Sequence, residues 1–351
     1  MHFREQVLPY LKYLPTAALF FGLIFDIFTL NRPDALFENV VIIGYLVLSA
    51  VLMLLLQARA DNGSESKRLL MLSILQFSFG NLASALMVLY ARSGTLTGSA
   101  IFIGILALLF LGNELLRDRY KRTHLRIVIW FSLVLTYSTL AVPVLFNSID
   151  TFVFILSIIF ALATTLILVF ALSKVARTDF KKRSQRILVS ITIITIGFSG
   201  LYITNLIPPV PLALKHIGIY HSVARIGNLY EVALEPPAWY EFWRDTNKVF
   251  NHTPGTLVYC FTSVFAPSDL KTEIRHRWEK YDTNTEEWIT TARIPFPILG
   301  GRADGFRGFT QTRQISEGTW RCSVETARGT LIGRTTFQVE GDTPILQQKN
   351  L

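Results

Sequence analysis

The sequence predicts a seven-helix membrane bundle followed by an all-β, immunoglobulin-like antiparallel sandwich. Three observations carry that reading. Of the 351 residues, 51% are hydrophobic and only 17% charged, and the mean hydropathy is +0.39, a balance outside the range of ordinary soluble chains. Seven long apolar runs fill the first 210 residues. From Thr256 onward the apolar residues recur at every second position instead, the period of a strand with one face buried.

The first residues, MHFREQVLPYLK, lead into an apolar run with no small-x-small cleavage site, and six more runs follow. That pattern reads as a retained first helix rather than a cleaved signal. A helix needs about 20 mostly apolar residues to cross a bilayer. Leu14–Leu30, Phe37–Gln57, Leu69–Tyr90, Leu96–Leu115, Ile127–Leu145, Phe152–Leu172 and Ile187–Ile207 meet that need. They read as helices because an open strand leaves its backbone polar groups unsatisfied in lipid. Of the basic residues in this half, 16 lie in the amino-terminal tail and the second, fourth and sixth loops, while the alternate loops hold only Arg32 and Arg92. Positive loops stay in the cytoplasm. The expected orientation therefore has a cytoplasmic amino terminus, a multi-pass anchor in the bacterial inner membrane, and a carboxy-terminal region in the periplasm.

The net charge of +9 follows the same division. Residues 1–210 carry 18 Lys and Arg against 10 Asp and Glu, and residues 211–351 carry 16 against 15. An excess confined to short loops between apolar runs is a topology signal, and it argues against a nucleic-acid partner. No cytoplasmic loop exceeds about fifteen residues, too short for an output domain.

Ionisable and amide groups inside spans are functional candidates. Asp26, two-thirds of the way along the first span, and Asn81 in the third are the sharpest. A structural partner for Asp26 is the plainer expectation, a proton or substrate site the alternative. Glu114 has Arg117 and Arg119 one turn on and suits interfacial pairing. Gln76, Asn81, Thr164, Thr165 and Asn205 suit interhelical hydrogen bonds, and Pro143 predicts a kink.

The seventh run ends in Pro208-Pro209-Val210-Pro211, which closes a membrane domain over 1–210. Residues 211–255 read as a connecting region. Gly227-Asn228 between β-prone runs predicts a hairpin, and Pro236-Pro237 opens a helix with Trp239, Phe242, Trp243 and Phe250 on one face. That stripe suits either the membrane interface or the following sheet. Strands are expected near 256–264, 273–281, 287–294, 307–313, 318–326 and 330–340, within a sandwich domain over 256–345. Ile274, His276 and Trp278 share a face; Trp320, Cys322 and Val324 share one, with Arg321, Ser323 and Glu325 opposite. Leu331, Thr335, Phe337 and Val339 face the core through Gly333, and Ala327-Arg328-Gly329 joins the last two strands.

Several spaced anchors have a family character. They are Val258-Tyr259-Cys260-Phe261-Thr262, His276-Arg277-Trp278, Gly300-Gly301-Arg302, Gly305-Phe306-Arg307-Gly308, Gly318-Thr319-Trp320-Arg321, Ile332-Gly333-Arg334 and Phe337-Gln338-Val339. In this order they resemble a bacterial carboxy-terminal module, the domain of unknown function 2914, over roughly residues 217–341. Gln76-Phe77-Ser78-Phe79-Gly80-Asn81 and Pro208-Pro209-Val210-Pro211-Leu212 are similar to its long membrane-anchored members. The resemblance brings no activity and no catalytic residue. Cys260 and Cys322 depart from it, standing where plain apolar residues are expected.

No candidate chemistry reaches the level of a catalytic motif. The six histidines have no zinc spacing, so no metal and no cofactor are expected, and His276 reads as a hydrogen-bonded core residue. Gly-x-Ser-x-Gly, Walker and Ser/Lys patterns are absent, and Asp304 with Glu317 reads as solvated rather than as a glycosidase pair. Cys260 and Cys322 read as buried thiols filling apolar sites, a disulfide being the alternative. The candidate ligand site is Gly300, Gly301, Arg302, Phe306 and Arg307. Close glycines expose backbone N–H groups, arginine forks suit carboxylate or phosphate, and phenylalanine can stack on a sugar. Its plainer reading is a β-turn whose arginines pair with Asp304 or Glu317. The expected partners are the lipid bilayer and an envelope glycan, a lipid headgroup or a membrane protein. Three function classes follow: a non-catalytic envelope binding protein first, then a transporter or lipid-handling bundle, then an envelope enzyme.

Overall fold

The computed structural model describes residues 14–30, 32–58, 64–94, 96–115, 119–120, 122–175, 180–227, 229–236, 248–267, 270–299 and 305–351. The chain divides into two compact units, Met1–Arg92 with Ser99–Val210, and Ser93–Gly98 with Pro211–Leu351.

Seven helices occur among the described residues: α1 Leu14–Thr29, α2 Leu36–Ala58, α3 Glu65–Ser93, α4 Leu96–Leu115, α5 Thr123–Phe146, α6 Thr151–Val175 and α7 Phe180–Ile203. Six are long and apolar enough to cross a membrane. The first, α1, has 16 described residues, short of the length a crossing needs. Helix α5 is the most enclosed, buried nearly all round from Arg126 to Pro143. Helix α2 instead buries a single stripe through Ile42, Leu46, Met53 and Leu56. Its other face exposes Phe37, Val40, Val47 and Val51. Apolar side chains on an outward face are what a hydrocarbon solvent permits and water penalises.

Polar groups inside the bundle find partners. Trp130 donates Nε1–H to the Leu46 carbonyl (3.1 Å), Tyr137 donates to Asn39 Oδ1 (2.9 Å), and Tyr90 donates to the Thr136 carbonyl (2.9 Å). Gln76 bridges helices by donating to Glu114 Oε2 at 2.9 Å, so Glu114 has an interhelical partner. Thr164 and Thr165 do not cross between helices. Each donates to a carbonyl four residues back in α6, which satisfies a hydroxyl without a neighbour.

The second unit is built from strands: β1 Ala213–Tyr220, β2 Ser222–Ile226, β3 Leu229–Leu234, β4 Val249–Asn251, β5 Val258–Phe265, β6 Lys271–Asp282, β7 Glu287–Leu299, β8 Phe306–Thr312, β9 Gly318–Thr326, β10 Leu331–Glu340 and β11 Gln347–Asn350. They form sheets ordered β1-β5-β8, β4-β10-β9-β6-β7 and β11-β3-β2. Pairing is antiparallel except between β4 and β10. The first two sheets share a core of Ile219, Val258, Cys260, Trp278, Trp320, Cys322, Phe337 and Val339. On the other side of β5, Phe261 packs with Tyr220 of β1 and with Val232 and Leu234 of β3. Because β5 is covered on both faces, apolar residues point to both of them without alternation, and Thr262 and Ser263 are buried as well.

The six expected strands are present, as is the hairpin, whose Ile226 pairs with Leu229 across the two-residue turn. Phe250 is a correction. It lies in β4, 4% exposed, opposite Val339 of β10 and edge-on to Phe337. A three-residue strand is too short to show a period, and core burial overrides the helical spacing. The other stripe residues, Trp239, Phe242 and Trp243, lie outside the described residues. Two glycines fix close approaches. A Cβ on Gly333 would sit 2.1 Å from Leu214 of β1, and Gly305 combines φ +88° with a Cβ position 2.5 Å from Ser263 Oγ, so both turn a family anchor into a packing requirement.

Candidate functional site

Strands β6, β9 and β10 send alternate residues to opposite faces. Inward go His276, Trp278, Trp320, Cys322 and Gly333. Outward go Arg277, Glu279, Arg321, Ser323, Glu325 and Arg334. Strand order then makes neighbours of residues far apart in sequence. Arg334 lies opposite Ser323, Ser323 opposite Arg277, and Arg277 opposite Arg293 of β7. One rung across four strands thus reads Arg, Ser, Arg, Arg. The next rung places Arg321 opposite Glu279.

The charges on this outer face are unequally paired. Glu279, 3% exposed, accepts two bonds from Arg321, from Nε at 2.6 Å and from Nη2 at 3.0 Å. The Arg321 guanidinium also lies 4.1 Å over the Trp288 ring, so it is held from two directions. Arg277 is looser: its Nε lies 3.4 Å from Glu279 and 3.3 Å from Glu325 and forms no hydrogen bond among the described residues. Arg293 approaches Glu325 at 3.9 Å. Among the described residues Arg334 forms no ion pair, and its buried Nε has no hydrogen-bond acceptor. Burial first, then the nearby Arg321, lower its pKa. Four guanidinium groups face two carboxylates.

The inner face solves polarity differently. His276, fully buried, bonds through Nε2 to Thr262 Oγ1 and through Nδ1 to Thr310 Oγ1, both at 2.9 Å. Thr310 Oγ1 also accepts from Trp278 Nε1 at 3.1 Å, and Thr262 donates to the Gly308 carbonyl. The network assigns the Nε2–H tautomer, with Nδ1 accepting from Thr310. Burial holds the imidazole pKa down at about 3, so it stays neutral.

Cys260 and Cys322 are joined by a disulfide, with Cα atoms 6.7 Å apart. This corrects the reading of two free thiols: β5 and β9 belong to sheets that share a core, and two small side chains meet there. Linear spacing also hid a cluster, because ligand atoms of Cys260, His276 and Cys322 lie within 4.8 Å of one another. The donor set does not suit a metal as it stands. Both sulfurs are in the bond, and both ring nitrogens are engaged by threonines.

The glycine–arginine loop is only partly in view. Gly300, Gly301 and Arg302 lie outside the described residues, as does Asp304. Phe306 and Arg307 begin β8, in the β1-β5-β8 sheet and not in the sheet that carries the arginine face. Arg307 donates Nη1–H to the Leu351 carbonyl at 3.1 Å. In the bundle, Asp26 of α1 accepts a hydrogen bond from Ser84 of α3. Asn81 donates to the Phe77 carbonyl of its own helix at 3.0 Å and lies against Gly22. Both polar candidates therefore serve the contact between α1 and α3. A separate cleft of about 800 Å³, lined almost wholly by apolar residues of α2, α5 and α6, runs past Trp130 and Tyr137.

Residues 271–339 match the family described as protein of unknown function DUF2914. The matched segment is β6 through most of β10, and so contains the whole arginine face. No curated protein matches the chain. Among solved structures, the crystal structure of β-glucosidase from Listeria innocua in complex with gluconolactone is 11% identical, covering 37% of this chain and 16% of that chain, with a TM-score of 0.20. The Pseudomonas fluorescens alkylpurine DNA glycosylase AlkC, bound to DNA containing an abasic site analog, is 10% identical. That match covers 89% of this chain and 100% of that one, at a TM-score of 0.24.

Proposed function

We propose that this protein is a non-catalytic binding protein of the bacterial envelope. Its helices anchor it in the inner membrane with the amino terminus in the cytoplasm, and its β region, read as an immunoglobulin-like sandwich, recognises a ligand or partner on the periplasmic side. The anchor is supported by six apolar helices long enough to cross and by the one-sided distribution of Lys and Arg. The compartment is supported by the Cys260–Cys322 bond, which persists where the surroundings are oxidising. The observation that carries the binding role is the outer face of the five-stranded sheet. Arg277, Arg321 and Arg334, one from each of three anchors in the matched segment, converge there beyond the number of carboxylates that face them.

The ligand classes that suit such a face are an envelope glycan, a lipid headgroup or the acidic surface of a membrane protein. The test uses the full chain in phosphatidylcholine nanodiscs, challenged with peptidoglycan, lipopolysaccharide and membrane-protein extract. Retention of one fraction by the wild type, lost in a folded Arg277→Gln/Arg334→Gln variant, is expected. A phenotype fully kept by a chain ending at residue 210 would count against the reading. A second reading, lipid handling within the bundle, is favoured by the apolar cleft beside Trp130 and Tyr137. Substitution of Ala141 by Trp should then change lipid co-purification without touching binding by the β region.

A further inference from the structure

We propose that the Arg334–Ser323–Arg277 rung on the outer face of the five-stranded sheet is a binding site for a phosphoryl dianion. This rests on the reading of the β region as a binding module and names the chemistry of what it binds.

Charge is the first argument. Arg277, Arg293, Arg321 and Arg334 face Glu279 and Glu325, which leaves two positive charges uncompensated. Elsewhere on that face Arg275 with Glu273 is closed on itself at 2.9 Å, and Glu340 stands at the far end of β10, six residues from Arg334. A doubly charged oxyanion neutralises the face; a single carboxylate leaves it positive. Geometry is the second. Adjacent strands are about 4.8 Å apart, so Arg334 and Arg277 stand roughly 10 Å apart at their backbones with Ser323 between them. Two long side chains at that separation can converge on one tetrahedral group, and each planar fork offers parallel N–H donors to two of its oxygens. Ser323 is buried, and its Oγ sits 3.5 Å from Glu279 Oε2, a long contact that leaves the hydroxyl able to turn to a nearer acceptor.

Order is the third argument. Arg321 is already committed to both Glu279 oxygens and to the Trp288 ring. It supplies positive potential from a fixed place without competing for the ligand. Arg334 is the opposite case. Among the described residues its buried Nε has no acceptor, and it stands near the like charges of Arg321 and Arg277, with only Glu279, already engaged by Arg321, acting in its favour. A guanidinium kept in that state weakens the ligand-free fold. A group that costs stability in the empty protein is what a preformed anion site contains, whereas an arginine serving as a brace has an acceptor for its buried N–H.

The test uses the full-length protein in phosphatidylcholine nanodiscs, at constant ionic strength set with chloride. Inorganic phosphate is titrated and followed by calorimetry and by the melting temperature read from tryptophan fluorescence. A parallel arm measures binding to vesicles of phosphatidylcholine with and without phosphatidate, which separates a free phosphate from a lipid-borne one. Saturable binding of at least one of these probes is expected. Arg334→Gln should weaken it at least tenfold while raising the melting temperature of the ligand-free protein, because a like-charge contact is relieved. Ser323→Ala should weaken it several-fold with the fold intact. The proposal is overturned if neither phosphate probe binds, if Arg334→Gln binds as the wild type does, or if Arg334→Gln lowers the ligand-free melting temperature. An envelope fraction retained through this face while both phosphate probes fail leaves the binding module standing and removes the phosphoryl assignment alone.

Discussion

The two faces of the five-stranded sheet are made from alternate residues of the same strands, yet they handle polar groups in opposite ways. Around His276 on the inner face the polar atoms are neutral and matched: Trp278 donates to Thr310, Thr310 donates to His276, and His276 donates to Thr262. On the outer face the groups are charged and unevenly matched: Arg321 fills both Glu279 oxygens, while the buried Nε of Arg334 has no acceptor among the described residues. A closed network inside a core fixes one arrangement of the sheets. A charged one with unmatched donors leaves interaction capacity for something else. The contrast separates what holds this region together from what it offers outward.

The largest effect should come from the inner face. Cys260→Ala/Cys322→Ala removes a cross-link between positions 62 residues apart. Loop-closure entropy alone puts the loss at about 4 kcal/mol, read as a drop in the urea midpoint of tryptophan fluorescence. An unchanged midpoint would mean that packing of the two sheets, not the bond, holds the core. Next comes Glu279→Gln on the outer face. It strips the acceptor charge from Arg321 and Arg277 together and should cost about 3 kcal/mol, as breaking a buried pair does. Glu325→Gln should cost less, because its arginines stand off at 3.3 and 3.9 Å. Equal losses from the two substitutions would erase the distinction drawn between a saturated and a loose carboxylate.

The inner face also carries a pH signature. The His276 pKa in the fold is about 3, lowered by burial, against about 6.5 in an unfolded chain. The unfolded state therefore binds more protons between those values, and stability falls as pH falls. The contribution is complete above pH 6.5 and declines at about 1.4 kcal/mol per unit below it, so roughly 2 kcal/mol is lost by pH 5. His221 and His252 are lowered by burial too and act in the same direction. Urea midpoints for the wild type and His276→Gln at pH 7 and pH 5 test this. The wild type should lose more than the variant, and parallel losses would show that His276 is not the group responsible.

These two faces were unequally legible in the sequence. Alternation alone assigns Trp320, Cys322 and Val324 to one side and Arg321, Ser323 and Glu325 to the other, because a pleated backbone leaves no other choice. It says nothing of which strands are neighbours. Arg277, Arg321 and Arg334 meet only because β9 lies between β6 and β10, and hydrogen-bond register is a tertiary property. The disulfide was hidden for the same reason, since each cysteine fits its strand as a small apolar residue would. Phe250 misled through its spacing from Trp239 and Trp243, and β11, four exposed polar residues, has no apolar face to betray it. In the bundle, length and hydropathy were enough for the helices. The Asp26–Ser84 contact was not readable, because helix packing decides it.

The smallest effect tests what keeps the outer face in order. Arg321 is held both by Glu279 and by the Trp288 ring 4.1 Å away, and Trp288 also packs on Tyr281 at 5.2 Å. Trp288→Leu removes the stacking surface and leaves the ion pair. A cation–π contact at a partly exposed site contributes about 0.5–1 kcal/mol, so the loss of stability should be no larger. Its sharper readout is the coupling between Arg321 and Glu279 in a double-mutant cycle, measured with and without Trp288. If the tryptophan pre-positions the guanidinium, the coupling should shrink in its absence, because Arg321 then spends part of its time away from the carboxylate. A coupling that does not change would mean that Glu279 alone sets the position of Arg321. The order of this face would then be electrostatic throughout, with the aromatic pair of β6 and β7 serving only to cover the sheet.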